Sequence, residues 1–544
     1  MHPAADLADW SKEHLIAYIR KLEASNQKLV KSRNPSYPRP AHPHPNRAAA
    51  QKPFDFAAHP RRKIALKFSY DGALYSGLAA QNSPTPLPTV EEVLWGALVF
   101  TRLVDPAGGF EGAGWEKCGR TDAGVSAAGQ VVSFWIRSAL PTEQQPEQAA
   151  GPSVPKPAPE SAEAPSDATD GMETLGGLEG DFGALSTWDE PPSNTNLLPP
   201  PTSSTPASAP ELKYINTLNN VLPPSIRALA WSPVAPAFSA RFACTHRHYK
   251  YFFTSRGLDI DAMRDGAARL VGEHDFRNLC KLDPGKQLTT FRRRILRADI
   301  NVVPGLSPAD DDDDGPGQVY VLDLVGTAFL YNQVRHIMAL LLLIGTRLEP
   351  PALLSALLNV SPSSPHPPFR ADEPAPPVVP TKPLYQMADA RPLMLWDCAY
   401  ADEDVQWRVD GQGFGADTDG AKSSAGASTV FASSRAAYEQ ALIRAAMAGQ
   451  FLRAAGRHHA PPPRYLPVPL GDGLNNINNK PGAVFGVPVG GGKERRGAKY
   501  VPVLERGRME PVEVLNERWR ATKGARRAGR STDVAEETAD EYLD

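Results

Sequence analysis

Apolar and polar positions alternate with a period of two in some stretches and recur every three to four residues in others, so strands and helices interleave along the chain. Residues 61–68 (RRKIALKF) read as a strand led by a basic cluster, and residues 130–136 (QVVSFWI) as a strong strand. Between them, residues 89–101 form an amphipathic helix pattern with Val90, Val93, Leu94, Ala97 and Leu98 on one face. Further on, residues 214–222 predict a helix stopped by Pro223 and Pro224. Residues 247–254 (RHYKYFFT) alternate like a strand, and 259–270 are helical with Met263, Ala267 and Leu270 inward. Residues 291–302 and 319–325 are strands, 332–345 a helix so apolar that it must be buried, and 393–400 a late strand. Residues 436–455 look helical, and 500–514 read as an ordered C-terminal hook. Near the start, residues 11–32 predict a helix capped by Ser11, with Leu15, Leu22 and Leu29 seven apart; this stripe either pairs two chains or packs on the body. The pattern as a whole is α+β: two α/β halves with antiparallel or mixed sheets flanked by helices.

Composition changes that picture in one respect. Proline makes up 55 of 544 residues, about twice its usual ~5% share. Fourteen of these prolines fall in residues 139–210, a low-complexity segment expected to be disordered. Residues 36–53 and 410–428 read as linkers. The net charge of −3 conceals an uneven distribution. Residues 139–211 carry −11 and the run Asp310–Asp314 adds −5, leaving +13 on the remainder. Residues 212–258 hold six Lys or Arg and no acid. A basic body with acidic insertions fits a polyanionic partner, nucleic acid being the usual one, although solvated surface cations give the same composition.

Cys118, Cys244, Cys280 and Cys398 are far apart with no CxxC pair, which argues against a disulfide framework and a zinc site and fits a reducing compartment. The first residues have no apolar signal core, and the longest apolar run, 337–344, is far below the ~20 residues that span a bilayer. An intracellular protein with no membrane association is the expectation.

Residues 117–134, KCGRTDAGVSAAGQVVSF, concentrate the candidate chemistry. Glycines at 119, 124 and 129 bracket an Arg-Thr-Asp core. A carboxylate on a tight turn beside an arginine can be a catalytic group; it can equally be an Asx-turn aspartate in a surface ion pair. GRTDAGVSA resembles the catalytic motif of the TruA family of tRNA pseudouridine synthases. Other segments resemble that family in its order: KIALKFSYDGALYSGLAAQ, SARFACTHRHYKYFF, LVGEHDFRNL, GTAFLYNQVRHIMALLLLIG and PLMLWDCAY. Leu78 in YSGLAAQ, HDFRNLCKLD, the DWSKEHLIAYIRKLE helix and MEPVEVLNE are similar to the eukaryotic branch that modifies uridines 38 and 39 of the anticodon stem-loop.

The resemblance implies two catalytic subdomains, 59–138 and 211–408, with a cleft between them. Around these lie an N-terminal helix and linker (1–58), the insertion (139–210), a linker (409–435), a C-terminal extension (436–520) and a charged tail (521–544). It implies that Asp122 is the catalytic aspartate, that Tyr249 stacks on the target base with Tyr251 as the alternative, and that Arg335 pairs with the aspartate. Arg120 is expected to contact RNA or fix the loop, and Leu395 to floor the pocket. The run Arg292, Arg293 and Arg294 is a phosphate-contact candidate, outside the Asp122–Tyr249–Arg335 cluster; the alternative is a solvated face. Cys280 reads as a buried small hydrophobe, and His246 with His248 as weak metal evidence. KERRGAK and KGARRAGR, near the C-terminus, suit RNA-binding tails or import signals. The family further implies tRNA as partner, a homodimer, a nuclear and cytoplasmic location, and a reaction needing no cofactor or metal. Synthesis at another tRNA position, such as 26–28, and a non-catalytic RNA-binding relative are the alternatives.

Overall fold

The computed structural model describes residues 54–81, 83–140, 211–306, 317–410, 425–461, 465–472, 474–479 and 499–524. The expected N-terminal helix, the acidic insertion, the Asp310–Asp314 run, most of the 410–428 linker and most of both C-terminal basic runs lie outside them.

The described body is organised around one mixed sheet of nine strands. They are β1 (Arg61–Tyr70), β2 (Glu116–Lys117), β3 (Ser126–Arg137), β4 (Ile226–Pro233), β5 (His246–Thr254), β6 (Gly272–Asp275), β7 (Arg292–Val302), β8 (Val319–Gly326) and β9 (Leu393–Ala399). The spatial order is β4-β1-β3-β9-β5-β8-β7-β6, with β2 paired to β3 off this path. Every pairing is antiparallel except β3 with β9, where Ser126 faces Met394 and Ala127 faces Leu395. The two expected halves are therefore flanks of one continuous sheet, fused where a strand from the first half meets the last strand of the second.

Each flank has its own core. On the first, Ile64, Leu66, Phe68, Val131, Phe134 and Ile136 pack under helix α1 (Val90–Phe100) and α2 (Tyr214–Asn219). Helix α1 starts where its sequence says it should. The Thr89 hydroxyl accepts from the Glu92 N–H, and the Glu92 carboxylate accepts from the Thr89 N–H, a reciprocal cap that satisfies two otherwise orphaned donors.

On the second flank, α3 (Ile260–Ala268), α4 (Gln333–Gly345) and α5 (Ala352–Leu358) cover β5, β7 and β8. Helix α4 is buried on nearly all sides, as its unbroken apolar run requires; Arg335 is its main polar exception. The C-terminal hook joins this core: Val503 is buried, its N–H and the Tyr500 hydroxyl both donating to the buried carboxylate of Glu349, at 2.7 and 2.5 Å. Helix α6 (Ala425–Gly456) begins at Ala425, inside the stretch expected to be linker, and α7 (Val512–Trp519) runs into a π-helical turn, Arg520–Gly524. Among the described residues no helix is long and apolar enough to cross a membrane.

Candidate active site

Asp122 lies in the loop between β2 and β3. Its carbonyl accepts from the Val125 N–H at 3.1 Å, closing a tight turn, and Gly124 takes φ +86° there, a left-handed conformation that a Cβ would strain. Gly129 answers to a different constraint. A Cβ there would lie 2.7 Å from the Trp396 carbonyl oxygen, so only glycine lets β3 and β9 approach. Thr121, ahead of the aspartate, is clamped on both sides. Its hydroxyl pairs with the Tyr70 hydroxyl at 2.7 Å, and its carbonyl accepts from the Leu78 N–H at 3.2 Å. The opening-strand segment thus braces the aspartate loop.

Arg335 reaches Asp122 from the other flank. Its Nη1 stands 3.4 Å from Asp122 Oδ2, while its Nε donates to the Ala388 carbonyl at 2.8 Å. The arginine is the more buried partner, 11% exposed against 32% for the aspartate, so the carboxylate projects into open space from a fixed cation. That space is a cavity of about 920 Å³. Tyr249, on β5, lines it with its ring edge-on to Phe329 at 5.0 Å, and burial pushes its phenol pKa well up, keeping it neutral. Tyr251 is placed elsewhere: its hydroxyl donates to the Asp389 carbonyl at 3.1 Å and its ring is in the core.

Asp122, Tyr249, Arg335 and Arg120 all border this one cavity. Leu395 does not. It is buried in the first core, at the β3–β9 junction, and Leu393 on the same strand faces the cavity instead. The arginine run on β7 is divided by strand alternation. Arg293 lines the cavity; Arg292 and Arg294 are exposed on the opposite side, with Arg292 paired to Glu273 at 2.9 Å. Arg293, expected as a phosphate contact outside the Asp122–Tyr249–Arg335 cluster, thus borders the same cavity as that cluster.

Several lining residues were not singled out from the sequence. Arg241, Arg247 and Lys286 bring the basic side chains of the lining to seven, against Glu116 and Asp122 as its acids, which suits a polyanion. Arg241 and Arg247 belong to the acid-free stretch 212–258 and to the segment SARFACTHRHYKYFF, two signals that could have found them. Five aromatic residues line the same space, among them Phe242, 78% exposed and stacked under the Arg241 guanidinium at 5.2 Å. Arg293 Nε, Asn332 Oδ1 and Gln333 Nε2 are buried here without a hydrogen-bond partner, and Asn332 holds φ +56°. A basic lining, flat aromatic surfaces and uncommitted polar atoms surround one carboxylate, features of the kind that hold a nucleotide taken out of its stack.

Comparison with known proteins agrees with this chemistry. A family model described as tRNA pseudouridine synthase matches residues 267–401. The tRNA pseudouridine(38/39) synthase of Homo sapiens is 36% identical over 401 residues, covering 73% of this chain and 68% of that protein. The Saccharomyces cerevisiae protein of the same name is 34% identical over 408 residues, covering 73% of each. The Mus musculus one is 37% identical over 361 residues, covering 66% of this chain and 60% of that protein.

Proposed function

The chain belongs to the TruA family of tRNA pseudouridine synthases, and from that premise we propose that it isomerises uridine to pseudouridine at positions 38 and 39 of the tRNA anticodon stem-loop. The observation that carries the reading is the Asp122–Arg335 pair facing a basic, aromatic-lined cavity with Tyr249 on its wall.

The reaction breaks the bond from N1 of uracil to C1′ of the ribose, turns the base and forms a bond from C5 to C1′. The C5 proton leaves and N1 gains one, so no atom is added or lost. In this reading Asp122 is the acting carboxylate, as nucleophile or as base, and its ionised form is the one that acts. Arg335 pairs with the carboxylate at 3.4 Å and offsets the cost of keeping it half-buried. The Tyr249 ring gives the turning base a flat apolar face. Arg120, Arg241 and Arg293 meet the phosphates flanking the flipped nucleotide. A homodimer belongs to the same reading, supported by the seven-residue leucine stripe of residues 11–32. A nuclear and cytoplasmic home is supported by four cysteines that are all free.

The test is pseudouridine mapping on tRNA from a strain lacking the protein, complemented with wild type or Asp122→Asn. Wild type restores positions 38 and 39; Asp122→Asn binds tRNA with near-normal affinity and restores neither. Restoration at 26–28 instead would favour another target position. Full restoration by the variant would leave a non-catalytic role for Asp122.

A further inference from the structure

Two segments far apart in sequence meet at the rim of the cavity. One is the turn Pro284–Lys286, with Gln287 and Leu288 after it; the other is α7, near the end of the chain. Asp283 caps the turn, its carboxylate accepting from the Gly285 N–H at 3.1 Å, and the turn ends on Gln287 at φ +48°, a left-handed conformation uncommon outside glycine. Helix α7 clasps it from outside. Gln287 Nε2 donates to the Asn516 carbonyl at 3.3 Å, and Asn516 Nδ2 donates to the Leu288 carbonyl at 3.3 Å. The Trp519 indole lies against Gly285, where an added Cβ would stand 3.7 Å from its ring. The clasp is itself anchored. The segment leading into α7 is tied to the second core through buried Val503, and the Met509 N–H donates to the Lys382 carbonyl at 2.8 Å.

What the clasp holds in place is a pair of lysines. Lys286 lines the cavity, and its Nζ stands 4.0 Å from the centre of the Tyr331 ring. Lys281 Nζ stands 5.0 Å from the same ring, and the Lys281 N–H donates to the Tyr331 carbonyl at 2.8 Å. Tyr331 also lines the cavity, on the chain that leads into the helix bearing Arg335. Both lysines are exposed, and among the described residues neither pairs with a carboxylate. A ring face attracts an ammonium but leaves most of its three N–H donors unspent. Two unpaired cations gathered on one ring repel each other, and an anion shared between them removes that repulsion. A solvated surface lysine needs no braced turn; a lysine that must meet a ligand at a fixed place does.

We infer that Lys281 and Lys286 form a binding site for one backbone phosphate of the RNA strand entering the cavity, and that Asn516, on the C-terminal helix, is a positioning residue for that site. The inference rests on the reading that the cavity acts on RNA. Each ammonium donates N–H groups to phosphate oxygens, and no covalent bond changes. The clasp on Gln287 and Leu288 removes beforehand the freedom of the turn that phosphate binding would otherwise have to remove. The last helix of the chain thus serves substrate binding without touching substrate.

The experiment titrates the full chain with a tRNA transcript carrying uridine at 38 and 39 over a salt series, with pseudouridine formation measured separately. The Lys281→Ala and Lys286→Ala double variant should bind roughly 5- to 10-fold more weakly near 0.1 M salt, with a salt slope smaller by about one. Its loss should fall on KM more than on kcat. Asn516→Ala is decisive because it removes no charge. It should weaken binding by about two- to fivefold and reduce the salt slope as well, which loss of a merely supporting contact would not do. In the lysine double variant it should add nothing. Should Asn516→Ala fail to fold, Gln287→Gly opens the clasp from the other side, at a φ glycine adopts freely, and is read the same way. An unchanged salt slope in the lysine double variant overturns the phosphate site. A wild-type slope in Asn516→Ala, or losses that add in the combined variant, overturns the positioning role. Wild-type protein that binds tRNA with these slopes yet forms no pseudouridine supports the site and overturns the proposed activity instead.

Discussion

At the residue scale, Phe242 is the side chain whose exposure is hardest to explain by folding. An aromatic ring 78% exposed beside a cavity adds little to the core, but base stacking on such a ring contributes about 1–3 kcal/mol. Phe242→Ala should therefore weaken tRNA binding by roughly 5- to 150-fold in a direct titration, with an unchanged melting temperature. Lys382 presents the opposite case. It is buried, its Nζ hydrogen-bonded to the Cys280 carbonyl and lying 3.2 Å from His336 Nε2, and burial pushes its pKa down to about 8. The folded state thus releases this proton before the unfolded chain does. Between about pH 8 and pH 10 the unfolded state binds more protons, so stability rises with pH across that window. Melting curves should show the rise in wild type and a flatter profile in Lys382→Met. The individual residues most legible in the sequence were those inside a motif, such as Asp122 and Arg335. Arg241 and Phe329 lie inside quoted segments, SARFACTHRHYKYFF and GTAFLYNQVRHIMALLLLIG, that attached no role to them; Lys286 lies in none, and the three share only a place in space.

At the scale of elements, strand alternation decides what a run of like residues does. Arg293 points into the cavity between two arginines that point away, so one tripeptide holds two environments. Arg293→Ala should lower kcat/KM for tRNA and reduce the salt dependence of binding by a slope of about one. The Arg292→Ala and Arg294→Ala double variant should change either far less. Steady-state kinetics and binding over a salt series read both. The strong elements, β3, α1 and α4, follow directly from their apolar patterns. β4 and α5 did not: IRALAWSP is interrupted in its alternation, and ALLSALL is too short and too uniformly apolar to reveal a period. Leu395 shows a finer limit. Pattern identifies β9, but whether position 393 or 395 meets the cavity depends on which core each leucine joins at the sheet's fusion point.

For the whole molecule, the ends of the acidic insertion are held together. Glu211 accepts from the Ser138 hydroxyl at 2.7 Å and the Ala139 N–H at 2.8 Å, and pairs with Arg62 at 3.1 Å. Residues 138–139 and 211 thus meet at one point, so the length of chain between them matters only logarithmically. Deleting residues 143–208 should leave the melting temperature within a few degrees of wild type. Removing most of the −11 carried there should tighten tRNA binding at low salt, an advantage that fades as salt screens it. The uneven charge was plain in the sequence. The single continuous sheet was not, because nothing local announces that β3 and β9 will pair.

That parallel seam also governs when the protein becomes active. β3 and β9 are more than 250 residues apart, and antiparallel partners on either side can form from shorter-range contacts. Closing the longest loop costs the most entropy before any contact rewards it, so the seam is expected to form late in folding. Asp122 belongs to one side of it and Tyr249 and Arg335 to the other. On a translating ribosome the carboxylate and its cation would then remain separate until Ala399 has emerged. Nascent chains shorter than that can bind RNA through their basic surface yet have no assembled centre with which to alter it.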